Sequence, residues 1–443
     1  MKHKSIDYDL EAMEQELSKC VRCGTCMAVC PVYEAMGFEG GVARGKLSLI
    51  SAHLDGRLSD GKIYRYFLTA CLLCNRCKSS CPNDVDTAMV VQGARAMLAQ
   101  KGKIGRLKRF VLRRIMPRKS LLPALFKGAR LARPLWAARV SQDSGLHVRF
   151  MHGPEGQRRK IPPIAKTFFL DSFKPTQHEE RSGPRVLLFV GCVNNYLRPQ
   201  AAEAAVKALE QLGARVEVPL GQGCCGLPAW GAGEVSGARR LAERNLDAFL
   251  PDLDDLPLAI TSTCASCAYM LKENVPKLLS EDEDRRDRAM KMAELVVPFS
   301  VLWTRLSSTS AEGPGRKAGE DKTVITYHDP CHLSRGFGEK DAPRFLLTNL
   351  DGVQLKEMSH PCRCCGHGGS FNLAHYDISL SLGDDKARRA VATGAEVVVT
   401  ECSGCVLQLD ESIGRVKTGV EVITTAEALI RFGAGARDEE SQT

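Results

Sequence analysis

The chain has 443 residues, 44% of them hydrophobic and 26% charged, which is a globular composition with room for two to four domains and excludes a disordered or collagenous chain. Its longest strongly apolar stretch, 186–193, is far short of the roughly 20 residues that cross a bilayer, and its start, MKHKSIDYDLEAMEQ, is too polar for a secretory signal. There are 19 cysteines, an odd number and clustered, so metal ligation in a reducing cytoplasm is expected rather than a disulfide framework.

Residues 1–100 hold two cysteine runs. Cys20, Cys23, Cys26 and Cys30 are spaced C-x2-C-x2-C-x3-C with Pro31 following, and Cys71, Cys74, Cys77 and Cys81 repeat that spacing with Pro82 following. Three thiolates two residues apart wrap three corners of a cubane, and the fourth, beside a proline that turns the chain away, reaches the other cluster. The expected ligand sets are therefore Cys20, Cys23, Cys26 and Cys81 for one [4Fe–4S] cluster, and Cys71, Cys74, Cys77 and Cys30 for the other. Two four-cysteine zinc sites are the structural alternative, but zinc needs neither the third close cysteine nor the proline.

Residues 101–182 read as a basic connector. From Thr87 to Gln142 there is no Asp or Glu, and the stretch carries 14 Lys or Arg; the rest of the chain has 47 basic against 52 acidic residues. Leu107, Phe110, Val111 and Ile115 sit near helical spacing with cations opposite, while Pro117, Pro123 and Pro134 divide the segment. Three readings stand: peripheral contact of 101–139 with an anionic membrane, docking on an acidic partner, or a solvated linker. Nucleic acid is not expected, because no aromatic ladder interleaves the cations.

Two similar regions follow, 183–308 and 323–437, joined by a loop at 309–322. Each opens with an apolar strand running into a cysteine, LLFVGC at Cys192 and ITYHDPC at Cys331. Paired cysteines and a glycine come next, Cys224-Cys225-Gly226 and Cys364-Cys365-Gly366. Each region closes with a strand entering C-x-x-C, at Cys264 and Cys267 and at Cys402 and Cys405. Strands alternating with helices predict repeated α/β units whose cysteines gather at the carboxyl ends of a parallel sheet. Five thiolates are one more than zinc or a cubane needs, which suits a more open iron–sulfur cluster; zinc with a spare cysteine, or a vicinal disulfide, are the plainer readings.

These motifs, with TYHDPCHLSRG and RCCGHGGSFNL, resemble the cysteine-rich (CCG) iron–sulfur family. That family includes the iron–sulfur subunit of glycolate oxidase, the lactate-utilisation iron–sulfur proteins, the anaerobic glycerol-3-phosphate dehydrogenase iron–sulfur subunit and the catalytic subunit of heterodisulfide reductase. The resemblance covers nearly the whole chain. It implies an α+β multidomain protein, with a helical dicluster ferredoxin-like domain before two CCG domains. It also implies noncubane [4Fe–4S] clusters on Cys192, Cys224, Cys225, Cys264 and Cys267 and on Cys331, Cys364, Cys365, Cys402 and Cys405, zinc in one of them remaining open.

Gly221-Gln222-Gly223-Cys224-Cys225-Gly226 spells G-x-G-x-x-G, but its centre is the cysteine pair and no dinucleotide fold follows. Its glycines, and those of 366–369, are expected to let backbone approach cluster sulfide. His328, His332 and His367 are candidates for a proton donor or for hydrogen-bonded neighbours, Asp329 and Arg335 for orienting groups, and Cys362 for a bystander or redox thiol. No residue is singled out as catalytic. The functional expectation is an electron-transfer subunit serving an FAD-linked glycolate or lactate dehydrogenase and passing single electrons to a quinone or other carrier. The alternative is a heterodisulfide-reductase-like catalytic subunit.

Overall fold

The computed structural model describes residues 8–139, 146–152, 158–174, 183–309, 322–417 and 419–433. At the N-terminus, helices Leu10–Ser18, Ala43–Leu54, Lys62–Thr69 and Thr87–Gln100 close over Met13, Ile50, Leu68, Val90 and Val91. Asp9 and Asp86 cap the first and last of these by accepting from the Ala12 and Met89 amides. Gly93 lies mid-helix because a Cβ there would come 2.4 Å from Met13 Sδ, so the close crossing of these two helices requires its absence.

The basic connector is not a free arm. Helix Arg106–Phe110 runs into a wide π turn at Val111–Ile115, followed by helices Leu121–Leu131 and Arg133–Trp136. Leu112, Met116 and Leu122 are buried in the core of the first α/β domain, where Val111 and Ile115 also pack. Leu107 and Phe110, on the apolar side of that stretch, are 76% and 56% exposed. A π turn inserts one residue, so the apolar face before it does not continue into the face after it. Three short antiparallel strands, β1 (Ala137–Arg139), β2 (Leu146–His152) and β3 (Arg158–Ile161), come next and were not foreseen. They tie the connector to the second α/β domain: the Lys160 amide donates to Glu411 Oε1 at 3.1 Å, and Arg159 stacks 4.9 Å from the Tyr376 ring centroid.

The α/β domains repeat one topology. The first has β4 (Arg185–Leu188), β5 (Arg215–Glu217), β6 (Ala259–Ser262) and β7 (Val296–Pro298), all parallel, in the order β5-β4-β6-β7. The second has β8 (Thr323–His328), β9 (Val353–Leu355), β10 (Val397–Thr400) and β11 (Glu421–Thr424), also parallel, in the equivalent order β9-β8-β10-β11. Central strands β6 and β10 are buried at every position, as expected where helices cover both faces of a sheet. In each domain the three cysteine-bearing segments follow three adjacent strands, so parallel pairing alone brings them to one end of the sheet. Most of the loop expected at 309–322 lies outside the described residues.

Candidate metal centres

In the N-terminal domain the backbone shapes two hollows. Arg22, Gly24, Leu73 and Asn75 all take left-handed conformations, with φ of 57°, 91°, 51° and 57°. They occupy equivalent places in the two C-x-x-C-x-x-C turns. For Arg22 and Leu73 the conformation costs about 1–2 kcal/mol each, a strain that persists only where the surroundings hold it. One hollow, of about 420 Å3, is lined by Cys20, Cys23, Cys26 and Cys81, with Cys77 also at its wall. The other, of about 430 Å3, is lined by Cys30, Cys71, Cys74 and Cys77. Each thus gathers one crossed set. Burial pushes the Cys30 thiol up to about 11 and raises Cys77 as well, while Cys23 is exposed.

The ten cysteines of the α/β domains form a single trough. Eight of them are buried, Cys192 and Cys331 being partly so. The two domains meet where their C-x-x-C motifs face each other, with Cys264 Sγ and Cys402 Sγ 4.0 Å apart. Within the second set, Cys365 Sγ and Cys405 Sγ are separated by 3.4 Å. Sulfur-to-sulfur hydrogen bonds from Cys224 and Cys267 pull Cys225 down to about 6. Bonds from Cys364 and Cys405 pull Cys365 down likewise. Neighbouring thiols and burial drive Cys267, Cys364 and Cys405 up. A crowd of buried thiols with mainly one another as partners is a donor set suited to metal ions, which would let all of them ionise. Gly191 allows the approach: its φ is +74°, and a Cβ there would come 3.1 Å from Cys267 Sγ.

The other expected glycines are explained differently. The Gly366 amide does donate to Cys364 Sγ at 3.4 Å. Gly221 and Gly223, however, make room for Ala248 and Arg244, and Gly368 for Leu72, a Cβ there coming 2.5 Å from Leu72 Cδ2. Protein packing by itself already requires the absence of a side chain at these three.

A cleft of about 1170 Å3 opens onto both cysteine sets and onto Cys71, Leu73 and Asn75 of the N-terminal domain. A row of contacts crosses it. The Asn75 amide donates to the Tyr269 hydroxyl at 3.3 Å, and Tyr269 stacks on His332 with centroids 4.6 Å apart. His332 Nδ1 lies 2.8 Å from Ser266 Oγ, which is 3.2 Å from Cys402 Sγ. Burial lowers His332 to about 4 and lowers His328 and His367 too, so all three rings are neutral at neutral pH. His367 lines the same cleft. Asp329 does not orient these rings; it pairs with Arg344 at 2.9 Å. Arg335 has an interdomain role, donating to the Cys74 carbonyl at 2.8 Å and the Cys362 carbonyl at 3.1 Å. Cys362 itself is a partly buried free thiol.

Two buried cations beside Cys71 escaped the sequence reading. Lys46, 2% exposed, donates to the Gly41 carbonyl. Arg95, 7% exposed, donates to the carbonyls of Leu68, Thr69, Cys71 and Gly231. Cysteines, chiefly Cys71, favour the charged form of both against the burial that opposes it.

Comparison with known proteins agrees with this arrangement. Residues 16–85 match a 4Fe-4S dicluster domain, and residues 186–272 and 325–410 each match the CCG cysteine-rich domain. The chain is 29% identical over 430 residues to the "Probable glycolate oxidase iron-sulfur subunit" of Bacillus subtilis (strain 168), covering 94% of this chain and 93% of that one. It is 29% identical over 418 residues to the "Glycolate oxidase iron-sulfur subunit" of Escherichia coli (strain K12), covering 93% and 94%. "Lactate utilization protein A" of Bacillus thuringiensis (strain Al Hakam) is 31% identical over 248 residues, 55% of this chain and 98% of that protein. The crystal structure of a hypothetical protein from Helicobacter pylori shares the fold, with a TM-score of 0.52 at 11% identity over 98% of this chain and 75% of that one. With a dicluster domain placed before a duplicated cysteine-rich domain, the chain belongs to the CCG iron–sulfur family.

Proposed function

We propose that this chain is the electron-carrying subunit of a complex in which an FAD-linked partner oxidises a 2-hydroxy acid such as glycolate or lactate, the electrons passing on to a quinone or another carrier. The observation that carries this reading is the continuity of the cysteine sites. They run from exposed Cys23, through the hollow of Cys30, Cys71, Cys74 and Cys77, to the ten-thiol trough, and Arg335 bonds the Cys74 loop to the second set. The proposed ligands are Cys20, Cys23, Cys26 and Cys81; Cys30, Cys71, Cys74 and Cys77; Cys192, Cys224, Cys225, Cys264 and Cys267; and Cys331, Cys364, Cys365, Cys402 and Cys405. Iron–sulfur clusters, when bound, take up and release single electrons. The chain's own residues space them, bury most of their thiol ligands and supply the buried cations that offset cluster charge.

The test is Cys74→Ser in the complex with the partner dehydrogenase. Quinone reduction is expected to fall at least tenfold while dye-linked oxidation of the hydroxy acid persists; unchanged quinone reduction defeats the proposal. The shared cleft also favours a second reading, thiol–disulfide chemistry at a trough centre. A paramagnetic signal that changes when a disulfide is added would support it.

The reading extends to a site on the cytoplasmic face of the membrane. The 19 cysteines are clustered at ligand spacing, a usage suited to a reducing compartment. No described helix is long and apolar enough to cross a bilayer. Leu107, Phe110, Leu131 and Leu135, however, stand 56–79% exposed among the connector's cations, a composition suited to an anionic surface. Deleting the connector would also remove Leu112, Met116 and Leu122 from the core. The appropriate variant is therefore the fourfold change of the exposed residues to serine. Its co-sedimentation with phosphatidylserine vesicles is expected to drop severalfold at unchanged fold stability, and equal sedimentation rejects membrane contact.

A further inference from the structure

The two cysteine-rich domains share strand order and cysteine framework but differ at the end of their first strand. Three residues before Cys331 stands His328; three residues before Cys192 stands Phe189. Both side chains are buried, at 1% and 0% exposure. Neither ring nitrogen of His328 makes a hydrogen bond of good geometry, although the Cys365 thiol stands close enough to act on the ring. A buried polar group left in that state costs about 1–3 kcal/mol, so in an all-sulfur site a phenylalanine would serve better, as it does in the first domain.

The ring's surroundings suggest what its nitrogen is for. A ligating atom of His328 and the Sγ atoms of Cys365 and Cys405 all lie within 4.8 Å of one another. The first cysteines of the two sets also differ in setting. Cys192 is hydrogen-bonded to Cys224, whereas the charged groups acting most on Cys331 are Arg335 and Cys74. In the first domain the leading cysteine thus closes on the cysteine pair. In the second it lies between the N-terminal domain and the pair without bonding to the pair, and the imidazole stands beside the pair.

We propose that His328 ligates an iron of the second CCG centre through a ring nitrogen, taking the place that the set above gives to Cys331, so that this centre is a mixed histidine–cysteine site while the first is all cysteine. This rests on the iron–sulfur reading above. An imidazole adds no negative charge where a thiolate would, and histidine in place of cysteine raises the potential of an iron–sulfur centre. The second centre, next to Cys74, then lies at a higher potential than the first and is the one to which electrons fall.

The test uses the full chain, purified without oxygen, reduced, and grown with 15N-histidine in one preparation and 14N-histidine in another. Pulsed paramagnetic resonance is expected to detect one strongly coupled nitrogen that follows the label. That coupling should vanish in His328→Phe, which copies the first domain, and remain in His367→Gln, and the potential of one centre should fall in His328→Phe. A chain that loads iron and sulfide but has no strongly coupled histidine nitrogen overturns the assignment and leaves the electron-transfer reading standing. A weak coupling alone, as from an N–H hydrogen-bonded to sulfur, overturns it equally. A chain that loads no iron overturns both. If His328→Phe fails to fold, the labelled wild type together with iron-edge X-ray absorption still decides, since an all-sulfur shell ends the proposal.

Discussion

Replacement of Arg95 by methionine is expected to destabilise the protein by about 3–5 kcal/mol and to strip the Cys30/Cys71/Cys74/Cys77 centre of iron before any other. The guanidinium makes bonds of 3.0 and 2.7 Å to the Leu68 carbonyl, 2.7 Å to Cys71 and 2.6 Å to Gly231. It thereby fixes the turn that presents Cys71 and fastens the N-terminal domain to the first cysteine-rich domain. Methionine fills similar volume but leaves these carbonyls buried without a donor, and it removes a cation facing the thiolates. Lysine keeps the charge with fewer donors in a different geometry and should lie between the two. Denaturant melts and iron counts read both effects. A methionine variant with wild-type stability and full iron would show that the carbonyls find other partners.

The second large effect is expected at Arg335. Burial works against its charge, but Cys74, Cys331, Cys364 and Cys362 favour it strongly enough to leave its pKa above the ordinary value. It bonds the carbonyls of Cys74 and Cys362, while its Nη2 has no partner. Removing a positive charge makes the arrival of an electron less favourable. Arg335→Met should therefore lower the potentials of the two centres it faces, by on the order of 50–100 mV for a partly screened charge. Transfer between the domains should slow as well. Arg335→Lys should keep most of the potential and lose most of the docking geometry. A redox titration followed by paramagnetic resonance measures the shift, and potentials identical to wild type would remove Arg335 from the electron path.

The cysteine framework was legible in the sequence because cluster ligation fixes spacing along the chain. The strands beside it were legible because a buried parallel strand is a short apolar run. Arg95 was not, since in one dimension it is the first cation of a basic stretch, and only the crossing of its helix with the Cys71 turn marks it as buried. Which of the connector's apolar residues enter the core was not legible, because a π turn shifts the period without a distinctive residue. Strands β1–β3 pair through backbone groups that the sequence does not differentiate. The meeting of Cys264 with Cys402 is a contact between domains 138 residues apart, and no local pattern encodes such a distance. The glycines were ambiguous for a related reason: a missing side chain says that something comes close, but not what.

The unequal exposure of the cysteine sites bears on how the protein survives air. Cys23 stands in solvent, while eight of the ten trough cysteines are enclosed by both α/β domains. Dioxygen therefore meets the outermost centre first, and damage should proceed inward from there. A preparation handled carelessly would keep its inner centres while having lost the contact by which other proteins reach them, and so look intact by colour yet be inert in turnover.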